Sequence, residues 1–366
     1  MATCSAPPKA PVGMRMVFWL IVGAFSTAFA EVTCSNEPFV FFSLQGYLVV
    51  LPLYSFHIIV LASLILRRGA PHWSVLYMAG VLFGLYEAYI TKVLWMPTWL
   101  EESGGSPWLH IGNVAWFETI MLVLWWHPYM AFLVPLVIVE RCMTASGQVW
   151  SGLPAGIQHS EQHRHRKWVG AIFLMAWLTA VGPTNLAASL LSVGGSAIVL
   201  GGSVILWRSL LHGHRYTLPQ LLPGRTGFGI FTVLLVGYYL FFGLFLRRHI
   251  HPGWIGRGII LLMYLGASTL LIRGLHTRLR HDNGSSSAAT RETVRRLGMG
   301  ALGYVAAVGL WEIFLAFVAA PMGLDDPLTA LIYLANMIGG GLLGVITLVT
   351  AAVRICASSA ASPEDA

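Results

Sequence analysis

Charged side chains are scarce in this chain. Of its 366 residues only 10% are Asp, Glu, Lys or Arg, whereas 56% are hydrophobic. A water-soluble domain carries about 25% charged residues, because its surface must stay hydrated. The shortage of charge therefore excludes an ordinary soluble fold and indicates a protein that lies in a lipid bilayer.

Motifs built from clustered polar residues are also missing. The four cysteines, Cys4, Cys34, Cys142 and Cys356, are too scattered for a disulfide framework or a thiolate metal site. The chain has no Asp-rich prenyl-diphosphate motif, Walker A loop, Gly-x-Ser-x-Gly elbow or HExxH. These absences argue against an ATPase, a diphosphate-binding prenyltransferase and a zincin-type protease. They predict no metal site and leave any cofactor unknown.

The formal net charge of +7 does not indicate a nucleic-acid partner. The basic residues stand in short loops beside apolar runs, and they do not alternate with aromatic residues on a binding face. Short basic loops are what orients a membrane protein, since positive loops stay in the cytoplasm. The predicted partners are therefore the lipid bilayer and a small-molecule or lipid substrate, with the oligomeric state open.

Apolar runs of roughly 20 residues, each long enough to cross a bilayer as a helix, recur along the chain. They predict an all-α, polytopic transmembrane helix bundle of about ten spans. The spans are expected near 16–34, 39–66, 73–97, 114–140, 168–186, 188–207, 226–246, 254–273, 294–320 and 328–353.

The distribution of Lys and Arg orients these spans. With the N-terminus in the cytoplasm, only Arg247, Arg248 and Arg257 fall in outer loops, and nearly all other basic residues fall inside. This asymmetry predicts that both termini are cytoplasmic. The protein is expected to be a multi-pass protein of the cell membrane.

Composition also divides the chain. Residues 1–280 form a predicted bundle of about eight spans, and the polar stretch 281–292, "HDNGSSSAATRE", is a predicted flexible linker. A final pair of spans follows in 293–354, and the tail 355–366 is predicted to be disordered. The run 16–34 has the basic start and small late residues of a cleavable signal peptide, so a retained helix and a removed one both stay open.

Charged residues are rare in transmembrane spans, because each costs about 2.5–3.5 kcal/mol at the bilayer centre. Glu87 and Lys92 occur in "GLYEAYITKVLW", and Glu118 begins the fourth span. All three are placed in the outer half, so we expect one outward-facing site in which they carry protons or pair charges. Lys92 lies about 140° around the helix from Glu87. It is therefore expected to pair with Glu31 or Glu118, or else to extend to the membrane surface.

Other polar residues complete the predicted site as substrate-binding candidates: Glu31, His57, His127, Glu312 and Asn336. Histidine titrates near neutral pH and suits a proton relay, although a lone buried histidine also serves as a structural hydrogen-bonding group. Gly80 and Gly84 share a helical face with Glu87, which predicts the close approach of a neighbouring helix there.

Three functions remain open on this pattern. The first is a proton-coupled secondary transporter or permease, because a buried carboxyl group can load and release a proton. The second is an intramembrane enzyme that acts on a lipid or isoprenoid by acid–base chemistry. The third is a structural subunit of a membrane complex, whose charges lock helices together. Whether the protein is an enzyme at all is undecided by sequence.

Overall fold

A computed structural model describes most of the chain. The described residues are 8–34, 36–68, 71–96, 109–145, 147–151, 188, 190–250, 252–276, 303, 306–307, 310–311 and 313–360. Throughout these ranges the regular structure is helical, apart from an antiparallel hairpin of β1 (His110–Ile111) and β2 (Val114–Ala115). The all-α architecture expected from the sequence is confirmed.

The helices are numbered in chain order. They are α1 (Val12–Val32), α2 (Gly46–Leu66), α3 (Trp73–Gly84), α4 (Tyr86–Tyr89), α5 (Trp116–Met143), α6 (Gln148–Ser151), α7 (Leu191–Leu210), α8 (Leu218–Leu221), α9 (Arg225–Phe245), α10 (Trp254–His276) and α11 (Asp325–Ala360). Within the described ranges, seven helices are long and apolar enough to cross a membrane: α1, α2, α5, α7, α9, α10 and the part of α11 at Ile338–Ser358.

These seven helices coincide with seven of the ten expected spans. The expected span 168–186 lies outside the described residues, and 294–320 is described only in part. The span expected at 73–97 is not one continuous helix, which corrects the sequence interpretation. The chain turns at Leu85, and α4 ends at Tyr89. Lys92 then adopts a left-handed conformation with φ 60°, which redirects the backbone.

The centre of the bundle is formed by α1, α2, α3 and α5. Phe18 and Trp19 of α1 are completely buried, as are Tyr77 and Phe83 of α3. A signal peptidase that removed the first hydrophobic run would take those two α1 side chains out of the core. This burial favours a retained first helix over a removed one.

Two glycines bring α3 and α5 together. A Cβ atom at Gly80 would lie 2.5 Å from Cα of Pro128, and one at Gly84 would lie 2.9 Å from Cα of Val123. No side chain fits at such distances, so only glycine permits this contact between the two backbones. The close approach that the sequence predicted beside Glu87 is confirmed.

The outer helices present apolar side chains to the surroundings. No residue of α9 is buried, and Val233, Phe241 and Phe245 are each more than half exposed. In water such a surface would promote aggregation, whereas lipid tails cover it. At the other end of the chain, α11 continues to Ala360, so the tail that was expected to be disordered from 355 begins as helix.

Candidate functional site

A cavity of about 730 Å³ lies at the end of the bundle where α1 finishes. Its walls come from α1, α2, α4, α5 and α9, and it reaches the exposed residues Asn36 and Gln45. The lining is mainly apolar and aromatic. Four of the predicted site residues line it together: Glu31, Glu87, Glu118 and His127. A cavity of this size holds a small molecule or the end of a lipid.

Hydrogen bonds run along the cavity wall from Glu31 to His127, which lies beside Glu87. Oε1 of Glu31 accepts a hydrogen bond from the hydroxyl of Tyr54 at 2.5 Å. The Tyr54 oxygen lies 2.8 Å from the hydroxyl of Tyr86, which lies 3.0 Å from Nε2 of His127. That nitrogen is 3.3 Å from Oε1 of Glu87. We call these five residues, Glu31, Tyr54, Tyr86, His127 and Glu87, the proton chain.

The geometry of the proton chain fixes one donor, and the ionisation state of Glu31 then sets the direction of the other hydrogen bonds. Nδ1 of His127 lies 2.8 Å from the carbonyl oxygen of Leu122, which can only accept, so Nδ1 carries a hydrogen. When Glu31 is ionised, Tyr54 donates to it and accepts from Tyr86. Tyr86 then accepts from Nε2 of His127, which makes the imidazole doubly protonated and positively charged.

The opposite direction is equally compatible with these atomic positions. If Glu31 carries the proton, it donates to Tyr54, Tyr54 donates to Tyr86, and Tyr86 donates to a neutral His127. The two arrangements differ by one proton moved between Glu31 and His127, with every oxygen and nitrogen left in place. These residues therefore have the donors and acceptors needed to reverse their hydrogen bonds in sequence.

The local fold of α5 positions His127. Residues Thr119–Leu133 are π-helical, and such segments occur frequently at functional sites. Pro128 has no N–H and cannot donate within the helix. The hydroxyl of Tyr77 donates to the carbonyl oxygen of Leu124 at 2.8 Å, which joins α3 to this π-helical segment. In this position Nε2 of His127 lies 3.3 Å from Oε1 of Glu87.

The second oxygen of Glu87 is also bound. It accepts a hydrogen bond from the hydroxyl of Thr91, four residues later and just beyond the end of α4. The carbonyl oxygen of Thr91 accepts from Arg247 at 3.3 Å. Arg247 lines the cavity and supplies a positive charge near these carboxylates.

Glu118 differs from the other acids. Its side chain is 2% exposed and lines the cavity, yet its Oε2 has no hydrogen-bond partner among the described residues. An unpaired buried carboxylate oxygen is costly, unless an occupant of the cavity bonds to it. Glu118 is therefore the free acceptor of the site.

Lys92 lies away from this cluster. Its ammonium group donates to the carbonyl oxygen of Gly243 at 2.9 Å and to that of Leu246, both at the C-terminal end of α9. The expected pairing with Glu31 or Glu118 is not formed. A positive charge stabilises the partly negative end of a helix, so Lys92 acts as a C-terminal cap that holds α9 against the bundle.

The remaining predicted residues have separate positions. His57 does not line the cavity: its Nδ1 bonds the carbonyl oxygen of Leu53 at 2.8 Å, and its Nε2 lies 3.0 Å from the hydroxyl of Tyr239. It connects α2 to α9 beneath the site. The side chains of Glu312 and Asn336 lie outside the described residues.

Sequence reasoning missed the two tyrosines of the proton chain. A buried tyrosine hydroxyl needs a hydrogen-bond partner, and Tyr86 stands directly before Glu87 in the sequence. That adjacency was the available signal for Tyr86. Tyr54 carried no comparable signal, because nothing in the sequence shows that α2 places it beside Glu31.

Comparison with known proteins gives the chain its relatives. An uncharacterized protein of Archaeoglobus fulgidus is 33% identical over 259 residues, which cover 71% of this chain and 78% of that protein. No solved structure matches the chain. The profile of a family described as an uncharacterized membrane protein family matches residues 20–360. Because this match includes almost all the helices described above, the chain belongs to that family of integral, multi-pass membrane proteins.

Proposed function

We propose that this protein is a proton-coupled secondary transporter whose substrate binds in the cavity beside the proton chain. The observation that carries the proposal is the unbroken set of hydrogen bonds from Glu31 through Tyr54 and Tyr86 to His127, whose Nε2 lies 3.3 Å from Glu87. A structural lock between helices needs one or two such bonds. A set of hydrogen bonds that can hold the proton either on Glu31 or on His127 is suited to proton transfer.

The coupling of proton transfer to substrate binding follows from the two hydrogen-bond arrangements of the proton chain. A proton enters at Glu31, whose Oε2 accepts from the exposed Asn36 at 2.5 Å. Transfer along the tyrosines places the positive charge on His127, next to Glu87. The electrostatic field in the cavity therefore depends on where the proton lies, and a charged substrate binds differently in the two states.

Irregular helices surround the cavity, and they supply the hinges that alternating access requires. The π-helical stretches Ala28–Val32, Gly46–Val50 and Thr119–Leu133 all contribute lining residues. The break between α3 and α4 lies directly before Glu87. Transporters place discontinuous helices around their binding sites for this reason. Beneath the proton chain, the rings of Phe83 and Phe132 are fully buried and close the bundle. We interpret this closure as a state of the transporter that is open on one side only.

The cavity lining suggests the class of substrate. Its acids outnumber its cations, and its walls include the aromatic rings of Trp126, Tyr238 and Phe242. Carboxylates and aromatic faces both attract organic cations. An amphipathic molecule with a cationic head group fits this lining, with its head at Glu118 and its apolar part against the rings.

A second candidate is an intramembrane enzyme acting on a lipid or isoprenoid. The observation that favours it is the unpartnered oxygen of Glu118 within a largely apolar cavity, because such a carboxylate suits a general base. The proton chain would then resupply the reacting group. A purely structural role does not require a cavity that is lined by the residues of the proton chain.

The experiment uses purified protein in liposomes that contain a pH-sensitive dye. Tetraphenylphosphonium and ethidium are added as probe cations under an imposed pH difference. We expect probe-dependent proton flux with the native protein and none with Glu87→Gln, because the amide keeps the size of the side chain and cannot carry the proton. Tyr54→Phe is expected to have the same effect, whereas Tyr47→Phe, which removes a hydroxyl from a half-exposed tyrosine, serves as the matched control.

A comparison of cells separates the two candidates. Cells that express Glu87→Gln in place of the native protein are analysed for lipids and for solutes inside and outside. A lost transporter leaves an unmodified compound on the wrong side of the membrane, and a lost enzyme leaves an unconverted lipid precursor. Full activity of a folded Glu87→Gln protein would refute both.

A further inference from the structure

Four basic side chains converge at the end of the bundle opposite the cavity. Lys9 precedes α1, Arg15 lies in its first turn, Arg67 follows α2, and Arg225 is the first residue of α9. We call these four residues the basic cluster. The four residues come from segments that are far apart in the sequence, and they surround one loop at residues 222–224.

The loop carbonyls only partly satisfy these cations. Arg67 donates to the carbonyl oxygen of Pro223 at 2.7 Å and to that of Gly224 at 3.2 Å. Arg15 and Lys9 make longer contacts of 3.4 Å, to the carbonyl oxygens of Leu222 and Pro223. Nε of Arg15 is buried and has no partner among the described residues.

The cluster carries positive charge that the described acids do not balance. The described acidic side chains lie at the cavity, apart from Glu140, whose carboxylate accepts from the backbone N–H of Val149 at 3.0 Å. Burial first, and then the neighbouring arginines, lower the pKa of Lys9 below its usual value. Burial and then Arg225 lower the pKa of Arg67. Mutual repulsion of this kind is relieved when an anion binds.

The backbone adds to the attraction for an anion. The 21-residue helix α9 begins at Arg225 after Gly224, and no side chain caps its first N–H groups. The partly positive start of a long helix favours a phosphate, and arginine binds phosphate through two parallel hydrogen bonds. The cluster thus supplies the charge and the helix supplies free N–H donors.

The surroundings favour a lipid as the source of that phosphate. On α1, Val12, Met16 and Leu20 are each more than half exposed, and on α9 the same is true of Ile230 and Val233. These apolar side chains begin at the cluster and continue toward the centre of the membrane. They provide surfaces on which acyl chains lie while the head group stays at the cations.

We propose that the basic cluster of Lys9, Arg15, Arg67 and Arg225 is a binding site for a phosphate group, supplied by an anionic phospholipid. The site is independent of the transport proposal, because it lies at the other end of α1, α2 and α9. Occupation neutralises the repulsion and ties the starts of α1 and α9 to the end of α2. The bound lipid therefore stabilises the bundle.

The test uses the full-length protein, purified in a neutral detergent. Phosphatidylglycerol, phosphatidylcholine and inorganic phosphate are titrated separately, with thermal unfolding and native mass spectrometry as measurements. Phosphatidylglycerol is expected to raise the unfolding temperature and to remain bound, and phosphatidylcholine to do neither. If inorganic phosphate raises the unfolding temperature and phosphatidylglycerol does not, the cluster is a phosphate site but a lipid is not the source of the phosphate. No rise with either anion overturns the proposal.

Substitutions assign the effect to the cluster. Arg225 is exposed, so Arg225→Gln is expected to fold and to weaken phosphatidylglycerol binding roughly fivefold, the contribution of one basic residue near an anionic surface. Arg15→Gln is expected to weaken binding by at least as much. Arg257→Gln removes the same charge from an exposed arginine that stacks on Trp254, and it is the matched control. Equal lipid affinity in Arg225→Gln, Arg15→Gln and Arg257→Gln would place the lipid elsewhere.

Discussion

The contact between α3 and α5 can be tested by adding a single methyl group. In Gly80→Ala the new Cβ atom would lie 2.5 Å from Cα of Pro128 and 3.1 Å from its carbonyl oxygen. Both are backbone atoms of a packed helix, so no side chain can rotate away to make room. The two helices must separate by about 1 Å to restore an ordinary contact.

Overpacking of this kind costs about 1–3 kcal/mol. The intrinsic preference of helices for Ala over Gly, about 1 kcal/mol, offsets part of that cost. We expect a net loss of about 1 kcal/mol, which lowers the unfolding temperature of a chain of this length by roughly 1–2 °C. Separation also lengthens the 3.3 Å contact between Glu87 and His127 beyond hydrogen-bonding distance, so proton flux should fall as well.

The assay is thermal unfolding of the detergent-solubilised protein, followed by tryptophan fluorescence, together with the liposome flux measurement. Gly237→Ala is the matched control, because a Cβ atom at Gly237 meets nothing within 4 Å. It is expected to leave the unfolding temperature unchanged or slightly higher, with normal flux. If Gly80→Ala were as stable and as active as Gly237→Ala, the close packing of α3 on α5 would be refuted.

Three further predictions follow from the site. Lys92→Met removes two charge-assisted hydrogen bonds from the end of α9, each worth about 1.5–3 kcal/mol, so the unfolding temperature should fall while flux per folded molecule persists. Loss of flux without loss of stability would instead place Lys92 in the transport machinery. Glu118→Gln should fold normally and weaken tetraphenylphosphonium binding about tenfold, measured by equilibrium dialysis; unchanged affinity would remove Glu118 from the site. In a cysteine-free background, an impermeant maleimide should label Gln45→Cys from outside intact cells and Arg68→Cys only after permeabilisation; the opposite pattern would invert the orientation.

The sequence predicts the membrane architecture well, because each span is determined by a local run of apolar residues. It also brings Glu31, Glu87, Glu118 and His127 into one site, since the cost of charge in lipid forces such residues to share a polar cavity. Lys92 was misplaced because helical angles assume a continuous helix, and the chain leaves its helix at Tyr89.

The hydrogen-bond partners could not be predicted for a different reason. Whether Tyr54 meets Glu31 depends on how α1 and α2 are rotated about their axes, and that rotation is set by packing across the whole bundle. The basic cluster was likewise hidden, because Lys9, Arg67 and Arg225 looked like separate loop charges. Their convergence depends on the loop at 222–224, whose carbonyl oxygens draw them together.

The orientation of the proton chain has an electrical consequence. Glu31 stands in the last turn of α1 and Glu87 in the short α4, so both carboxylates lie at the same end of the bundle and the chain runs across it. A charge that crosses the whole membrane changes its energy by about 2.3 kcal/mol per 100 mV. A proton passed sideways crosses almost none of that voltage, so its transfer along the chain is electrically silent. Any dependence of the transport rate on membrane voltage then reports the charge of the substrate and the rearrangement of the helices.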